Sequence, residues 1–312
     1  MAPKATSAAA AGPRAIVDAP AARPAGIPRR HLDFAFDARA VPRDWFDDDP
    51  FVTTFLDALS LLFPEGERFF VDAVKHYRER LAHDPELLTR VAGFIGQEAM
   101  HGKEHRQLNA MIEAHGYRAV PALDAHLRWL LGAVRRLPPR FQLGTTCALE
   151  HFTAIMAERL LLDPDTRHLF HPAVRGLWSW HAFEESEHKA VAYDVYRAIG
   201  AREPERMAVM IITTIIFFAE LAHYHARLLA ARGVLHKPWR WARGLWTMWG
   251  RPGYFRKLIV PYLAYFRPGF HPDDRDVEGL LDAWYGWLFA DGGELTDALT
   301  ATHYPGASSE AA

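Results

Sequence analysis

Trp180-His-Ala-Phe-Glu-Glu-Ser-Glu-His188 is the stretch on which the reading of this chain turns. As a helix it places His181, Glu185 and His188 on one face, because residues three and four apart leave a helix on the same side. A carboxylate and two imidazoles held that close form one wall of a transition-metal site. A lone Glu-x-x-His is a weak signal, but Glu98-Ala-Met-His101 repeats it upstream. Glu150 stands alone between the two motifs, and Glu67 stands alone before both. The resulting order is that of dinuclear carboxylate proteins: one Glu from each of two helices, and a Glu-x-x-His from each of the other two. It predicts an all-α four-helix bundle with additional C-terminal helices.

Working outward, Asp48 to Pro50 signals a helix start, and a helix is expected over Phe51 to Leu81 with a kink or restart at Pro64-Glu65-Gly66. Glu67 follows that restart and is preferred to Glu65, since Phe63, Phe70 and Val74 share its face. Asp84-Pro85 opens the next helix, which Gly116 closes. It carries His105 on the face of Glu98 and His101. Pro138-Pro139 precedes a third helix, roughly Arg140 to Leu162, where Thr146, Cys147, Ala154 and Ala157 surround Glu150. These small residues either leave space for substrate or permit close packing. His151 leaves the helix about 100° from Glu150 and is set aside. His171-Pro172 starts the fourth helix, expected to end near Gly200. Glu184 and His105 are placed beside the site, where a carboxylate or imidazole would brace a ligand histidine.

A fifth helix, Pro204 to Arg232, contains the apolar run Met207 to Ala219. The run is short for a bilayer span, and it is expected to be buried against the bundle. A third motif, Glu220-Leu-Ala-His223, fails the order test: paired with Glu185 and His188, it leaves no intervening helix for a lone Glu. From Pro238, four Trp alternate with Arg240, Arg243 and Arg251. Peripheral membrane contact, capping of the bundle and a homodimer contact are all open for this segment. A final helix is expected over Val277 to Phe289, before a polar tail.

Residues 1–30 are rich in Ala and Pro and are expected to be a disordered tail, followed by one helical domain over 31–312 with a C-terminal extension from about residue 203. The chain of 312 residues has formal net charge −2, which argues against a nucleic-acid partner. Its one cysteine, Cys147, allows no intrachain disulfide and suits a reducing cytoplasm.

The segments Phe63 to Glu67, Gln97 to His101 with His105 to Asn109, Ala148 to His151, and Trp180 to His188 resemble a bacterial family named predicted metal-dependent hydrolases, whose members resemble ferritin-like bundles. A histidine four residues before the second Glu-x-x-His resembles the arrangement in p-aminobenzoate N-oxygenase, a di-iron enzyme with a third histidine ligand. That likeness implies that His181 is also a ligand. The expected metal set is therefore Glu67, Glu98, His101, Glu150, His181, Glu185 and His188, holding two iron ions, with manganese or a mixed Fe/Mn pair as variants. Oxygen and imidazole ligands without thiolate suit these metals. The expected reaction is oxidation of a small, largely apolar substrate by dioxygen, with an electron donor as partner. The alternatives are a hydrolase using metal-activated water and a non-catalytic metal-binding protein.

Overall fold

The computed structural model describes residues 23–305. The chain is all-α apart from one small antiparallel pair, Arg29–Leu32 (β1) with Leu299–His303 (β2). The helices are α1 (Pro50–Lys75), α2 (Pro85–Ala114), α3 (Val120–Val134), α4 (Pro139–Leu162), α5 (Pro164–Arg167), α6 (Pro172–His188), α7 (Val191–Ala198), α8 (Glu203–Ala231), α9 (Pro238–Leu245), α10 (Ile259–Ala264) and α11 (Glu278–Phe289). α1 packs on α2, α2 on α6, α6 on α4 and α4 back on α1, so these four close a ring. α8 lies outside it against α1 and α4, and α3 lies against α1.

The starts of these helices follow local chemistry. Asp49 caps α1 by accepting from the backbone N–H groups of Phe51 and Val52, and Asp84 caps α2 through Leu87. Both helices place Pro in the first turn, where its missing N–H is harmless. Gly116, at φ 91°, follows the end of α2 in a conformation that glycine adopts without strain.

Four expectations are corrected. α1 runs through Pro64 without a break. Proline frees the carbonyl four residues earlier, that of Ser60, and Asn109 on α2 supplies the lost donor through Nδ2 at 3.2 Å. The fourth helix ends at His188, and α7 begins separately at Val191. The expected tail through Arg30 is corrected at its end: Arg29 and Arg30 lie in β1, Arg30 is buried, and β2 forms the partner strand within the expected polar tail. Residues 1–22 of the expected tail lie outside the described residues. Finally, the apolar run of α8 is not enclosed; Ile211, Ile212, Ile215, Ile216 and Phe218 are exposed.

α1 also carries Asp57, which is buried and accepts from Trp45 Nε1 at 2.9 Å. Burial pushes its carboxyl up to about 8. The unfolded carboxyl ionises near ~3.9, so between that value and the native one unfolding releases a proton, and stability falls as pH rises. Asp57→Asn keeps an oxygen for Trp45 and removes the titration. Its melting temperature, followed from pH 5 to 8, is expected to fall less steeply than that of the unsubstituted protein.

Candidate metal centre

Each helix of the ring delivers a carboxylate to one buried volume: Glu67 from α1, Glu98 from α2, Glu150 from α4 and Glu185 from α6. His101 joins from α2, and His181 and His188 join from α6. Glu67, His101 and His181 hold their donor atoms within 4.8 Å of one another, and so do Glu98, Glu150 and His188. Glu185 lies between these groups, with Oε1 3.0 Å from His181 Nε2, 3.6 Å from His101 Nδ1 and 3.7 Å from His188 Nε2. Gly102 lets α1 and α2 approach closely here, since an added Cβ would meet Glu67 Oε2 at 3.1 Å. The competing choice, Glu65, turns away to pair with Arg68 at 2.6 Å.

The proton on each histidine is fixed by its far nitrogen. Asn109 donates Nδ2 to the Ser60 carbonyl, so its Oδ1 faces the Ser60 hydroxyl and accepts that proton at 2.7 Å. Ser60 Oγ must then accept from His105 Nδ1, 2.8 Å away. The other nitrogen of neutral His105, Nε2, carries no proton and accepts from His181 Nδ1 at 2.7 Å. His181 Nε2 is left bare, facing Glu185 and Glu67. The same logic holds for His188. Gln97 spends its amide N–H groups on the Pro28 carbonyl and Glu187, so its Oε1 accepts from His188 Nδ1 at 2.8 Å and Nε2 is the bare nitrogen in the neutral ring. His101 donates Nε2–H to Glu184 at 3.1 Å, leaving Nδ1 bare and without a hydrogen-bond partner. Three imidazoles thus turn lone pairs on the carboxylates, each braced from behind as metal-bound histidines are.

The carboxylate oxygens answer in kind. Both oxygens of Glu67, Glu98 and Glu150, and Oε2 of Glu185, are buried without a hydrogen-bond partner. His188 Nε2 approaches Glu98 Oε1 to 3.0 Å without hydrogen-bond geometry. Orphaned acceptors facing orphaned acceptors are strongly unfavourable in a protein interior unless cations stand among them. Four carboxylates with neutral imidazoles balance the charge of two divalent ions.

Electrostatics agrees. Burial, then repulsion from Glu98 and Glu185, holds Glu67 well above the usual carboxylate range, and the same causes raise Glu150. Burial pushes Glu98 up to about 7. Glu185 moves the other way: burial raises it, but in the metal-free site, where His181 and His188 can carry the extra protons, hydrogen bonds from them outweigh burial. His101 and His105 are lowered, by burial first and His181 second. His188 rises, since its pairing with Glu185 and Glu98 overcomes burial. Without cations the site therefore retains protons, which metal binding would displace.

Glu184 serves His101 from the neighbouring helix, and His105 serves His181. Sequence reasoning did not find Ser60 and Asn109 as parts of the relay, or Gln97, Arg30 and Glu187 around it. Arg30 reaches in from β1 to Glu184 at 2.8 Å and Glu187 at 2.6 Å, beside the rings of Phe183 and Phe289. The only advance signals were the segment similarity that includes Gln97 and Asn109. The small residues near Glu150 divide: Ala157 lines a cavity, whereas Cys147 Sγ contacts the Ala192 carbonyl of α7. Glu220 is not among these donors: it borders a cavity that Glu67 also borders, but pairs with His126 at 2.9 Å and His223 at 3.6 Å in a partly exposed trio.

His105→Phe removes the acceptor of His181 Nδ1–H while keeping an aromatic ring. Metal affinity, measured by competition with a chelator, is expected to fall about 10–100-fold, with the helical circular dichroism unchanged.

The chain belongs to the family described as predicted metal-dependent hydrolase, which it matches over residues 28–276. No curated protein and no solved structure matches it. The family and the buried His/Glu groups together make this a metal-dependent protein with a centre able to hold ions.

Proposed function

We propose that Glu67, Glu98, His101, Glu150, His181, Glu185 and His188 hold two iron ions within a ferritin-like bundle, and that the protein oxidises an apolar substrate with dioxygen. The observation that carries this reading is the lining of the space beside the donors. One cavity, of about 90 Å³, is bordered by His181 and Glu185 together with Leu59, Phe63, Met156 and Trp178. A second, of about 200 Å³, is bordered by Glu67 together with Leu59, Phe63, Phe70 and Leu149. No Lys or Arg is among the described residues lining either one. Away from the metal donors a phosphoryl or carboxylate substrate would be desolvated there with no basic side chain to offset its charge, whereas a hydrocarbon fits.

Two bound Fe(II) ions would supply electrons for the reduction of dioxygen. The chain's own part is to hold the donors, orient the substrate against apolar walls and exclude water. Phe63 packs at 4.6 Å on both His105 and His181, Trp180 at 4.9 Å on His101, and Phe94 at 5.0 Å on His188. These rings hold the imidazoles in orientation and keep bulk water from their edges. The relay from His181 through His105 to Ser60 fixes which nitrogen of His181 carries the proton.

The family description favours a second reading, hydrolysis by metal-activated water. Anaerobic loading with Fe(II) followed by exposure to air separates the two. Oxidation predicts oxygen uptake in proportion to bound iron and a ligand-to-iron absorption that develops on exposure. No uptake, with metal-dependent turnover of ester substrates under anaerobic conditions, would establish hydrolysis instead.

A further inference from the structure

α8 is long and apolar enough, by length and composition, to cross a membrane, and only 28% of its most apolar window is buried. Its inner side is nevertheless tied to the protein. Arg206 is buried and donates to the carbonyl of Arg267 at 3.1 Å, and His225 Nε2 lies 2.9 Å from the Phe51 carbonyl. The helix therefore lies along α1 and α4 and turns one stripe outward: Ile211 at 51% exposure, Ile212 at 58%, Ile215 at 66% and Phe218 at 44%. The stripe continues onto α10. Thr214 Oγ1 lies 3.0 Å from the Tyr262 hydroxyl, and Phe152 contacts both Tyr262 and Phe218, at 5.5 and 5.7 Å. Val260, 76% exposed, extends the patch. Farther along, Trp249 meets Phe255 at 6.0 Å, and Trp246 is 64% exposed. Exposed apolar side chains gathered on α8, α10 and the Trp-bearing segment in this way mark an interaction site.

The charge around the face selects the occupant. Lys237 to Pro272 carries seven Lys and Arg and no Asp or Glu; Arg243, Lys257 and Arg267 pair with acids outside the segment, which leaves Lys237, Arg240, Arg251 and Arg256 without an acidic partner among the described residues. A second copy docking symmetrically would set cations against cations, because a two-fold contact uses the same patch on both sides. An anionic lipid surface satisfies all three components at once: aliphatic side chains in the acyl region, Trp at the headgroup level, and Arg on the headgroups.

We propose that this face docks on an anionic lipid bilayer and that the substrate is an apolar chain drawn from it. The second part rests on the apolar-substrate reading above. One cavity joins a donor to this face, and the other joins a donor to the inner side of the Trp-bearing segment. Glu67 shares one with Ile212 and Ile216, and His181 shares the other with Met248 and Pro252. A chain entering from lipid would reach the donors without crossing water.

Vesicle flotation of the full-length protein tests the docking, and it needs no metal or turnover. Vesicles of phosphatidylcholine with phosphatidylglycerol are expected to carry the protein, and pure phosphatidylcholine to carry much less. The Ile212→Glu/Ile215→Glu double variant, and separately Trp246→Ala, should weaken binding by about tenfold or more with circular dichroism unchanged. No binding by the unsubstituted protein, or binding indifferent to all these substitutions, would overturn the proposal. So would a dimer that the double variant converts to monomer without any vesicle association. Oxygen uptake measured in parallel reports on the reaction separately, so either idea can fail alone.

Discussion

Glu150→Ala protein reconstituted with Fe(II) is expected to keep at most one iron per chain where the unsubstituted protein keeps two. Both Glu150 oxygens are buried without a partner, and one lies 3.6 Å from His188 Nε2. Removing them takes a charged donor from the group that Glu150 shares with Glu98 and His188, and three carboxylates no longer neutralise two divalent ions. The metal-free protein should respond in the opposite sense. Burial, then Glu98 and Glu185, raises the Glu150 carboxyl, so its deletion relieves a desolvated, crowded group. The variant's metal-free melting temperature should therefore equal or exceed that of the parent, while its gain on adding Fe(II) shrinks. Glu220→Ala is the control. Glu220 pairs with His126 at the protein's edge, and its loss should leave both irons in place. An emptied buried centre in Glu220→Ala would show that the wrong Glu-x-x-His had been assigned.

Arg30→Met is expected to cost about 3–5 kcal/mol of stability, the usual penalty for stranding one side of a buried ion pair. Here two carboxylates are stranded, Glu184 and Glu187, both essentially inaccessible to solvent. The two partners raise the arginine's pKa further even against burial, so the guanidinium stays charged at any accessible pH. The effect should also reach the metal donors. Glu184 accepts from His101, and Glu187 accepts from Gln97, which orients His188. Chemical denaturation of the metal-free variant measures the first effect and a chelator titration the second. Full stability with weakened metal binding would mean that Arg30 acts only on the donors.

The convergence of these side chains was legible because helix geometry converts spacing into shared faces: Glu98 with His101, and His181 with Glu185 and His188, need only the period of the helix. Order along the chain then matched lone Glu67 and Glu150 to the two remaining helices. The partners behind the histidines were not legible. Ser60 meets His105 across 45 residues and Gln97 meets His188 across 91, and nothing local in the chain records such meetings. The continuity of α1 through Pro64 was hidden for the same reason, since the rescuing donor, Asn109, comes from α2. No glycine or proline marks the break after His188. The apolar run of α8 misled in a different way. Hydropathy reports that Ile211 to Phe218 avoid water, but it is silent on whether protein or another apolar medium covers them.

Three imidazoles and four carboxylates are expected to bind two ions, with His181 among the direct ligands. A crystal structure of the Fe(II)-loaded protein with anomalous scattering recorded at the iron edge tests it most directly. The expected result is two anomalous peaks between α1, α2, α4 and α6, with His181 Nε2 about 2.0–2.3 Å from one of them. A single peak, or a His181 nitrogen well beyond bonding distance with another group in its place, would contradict the account.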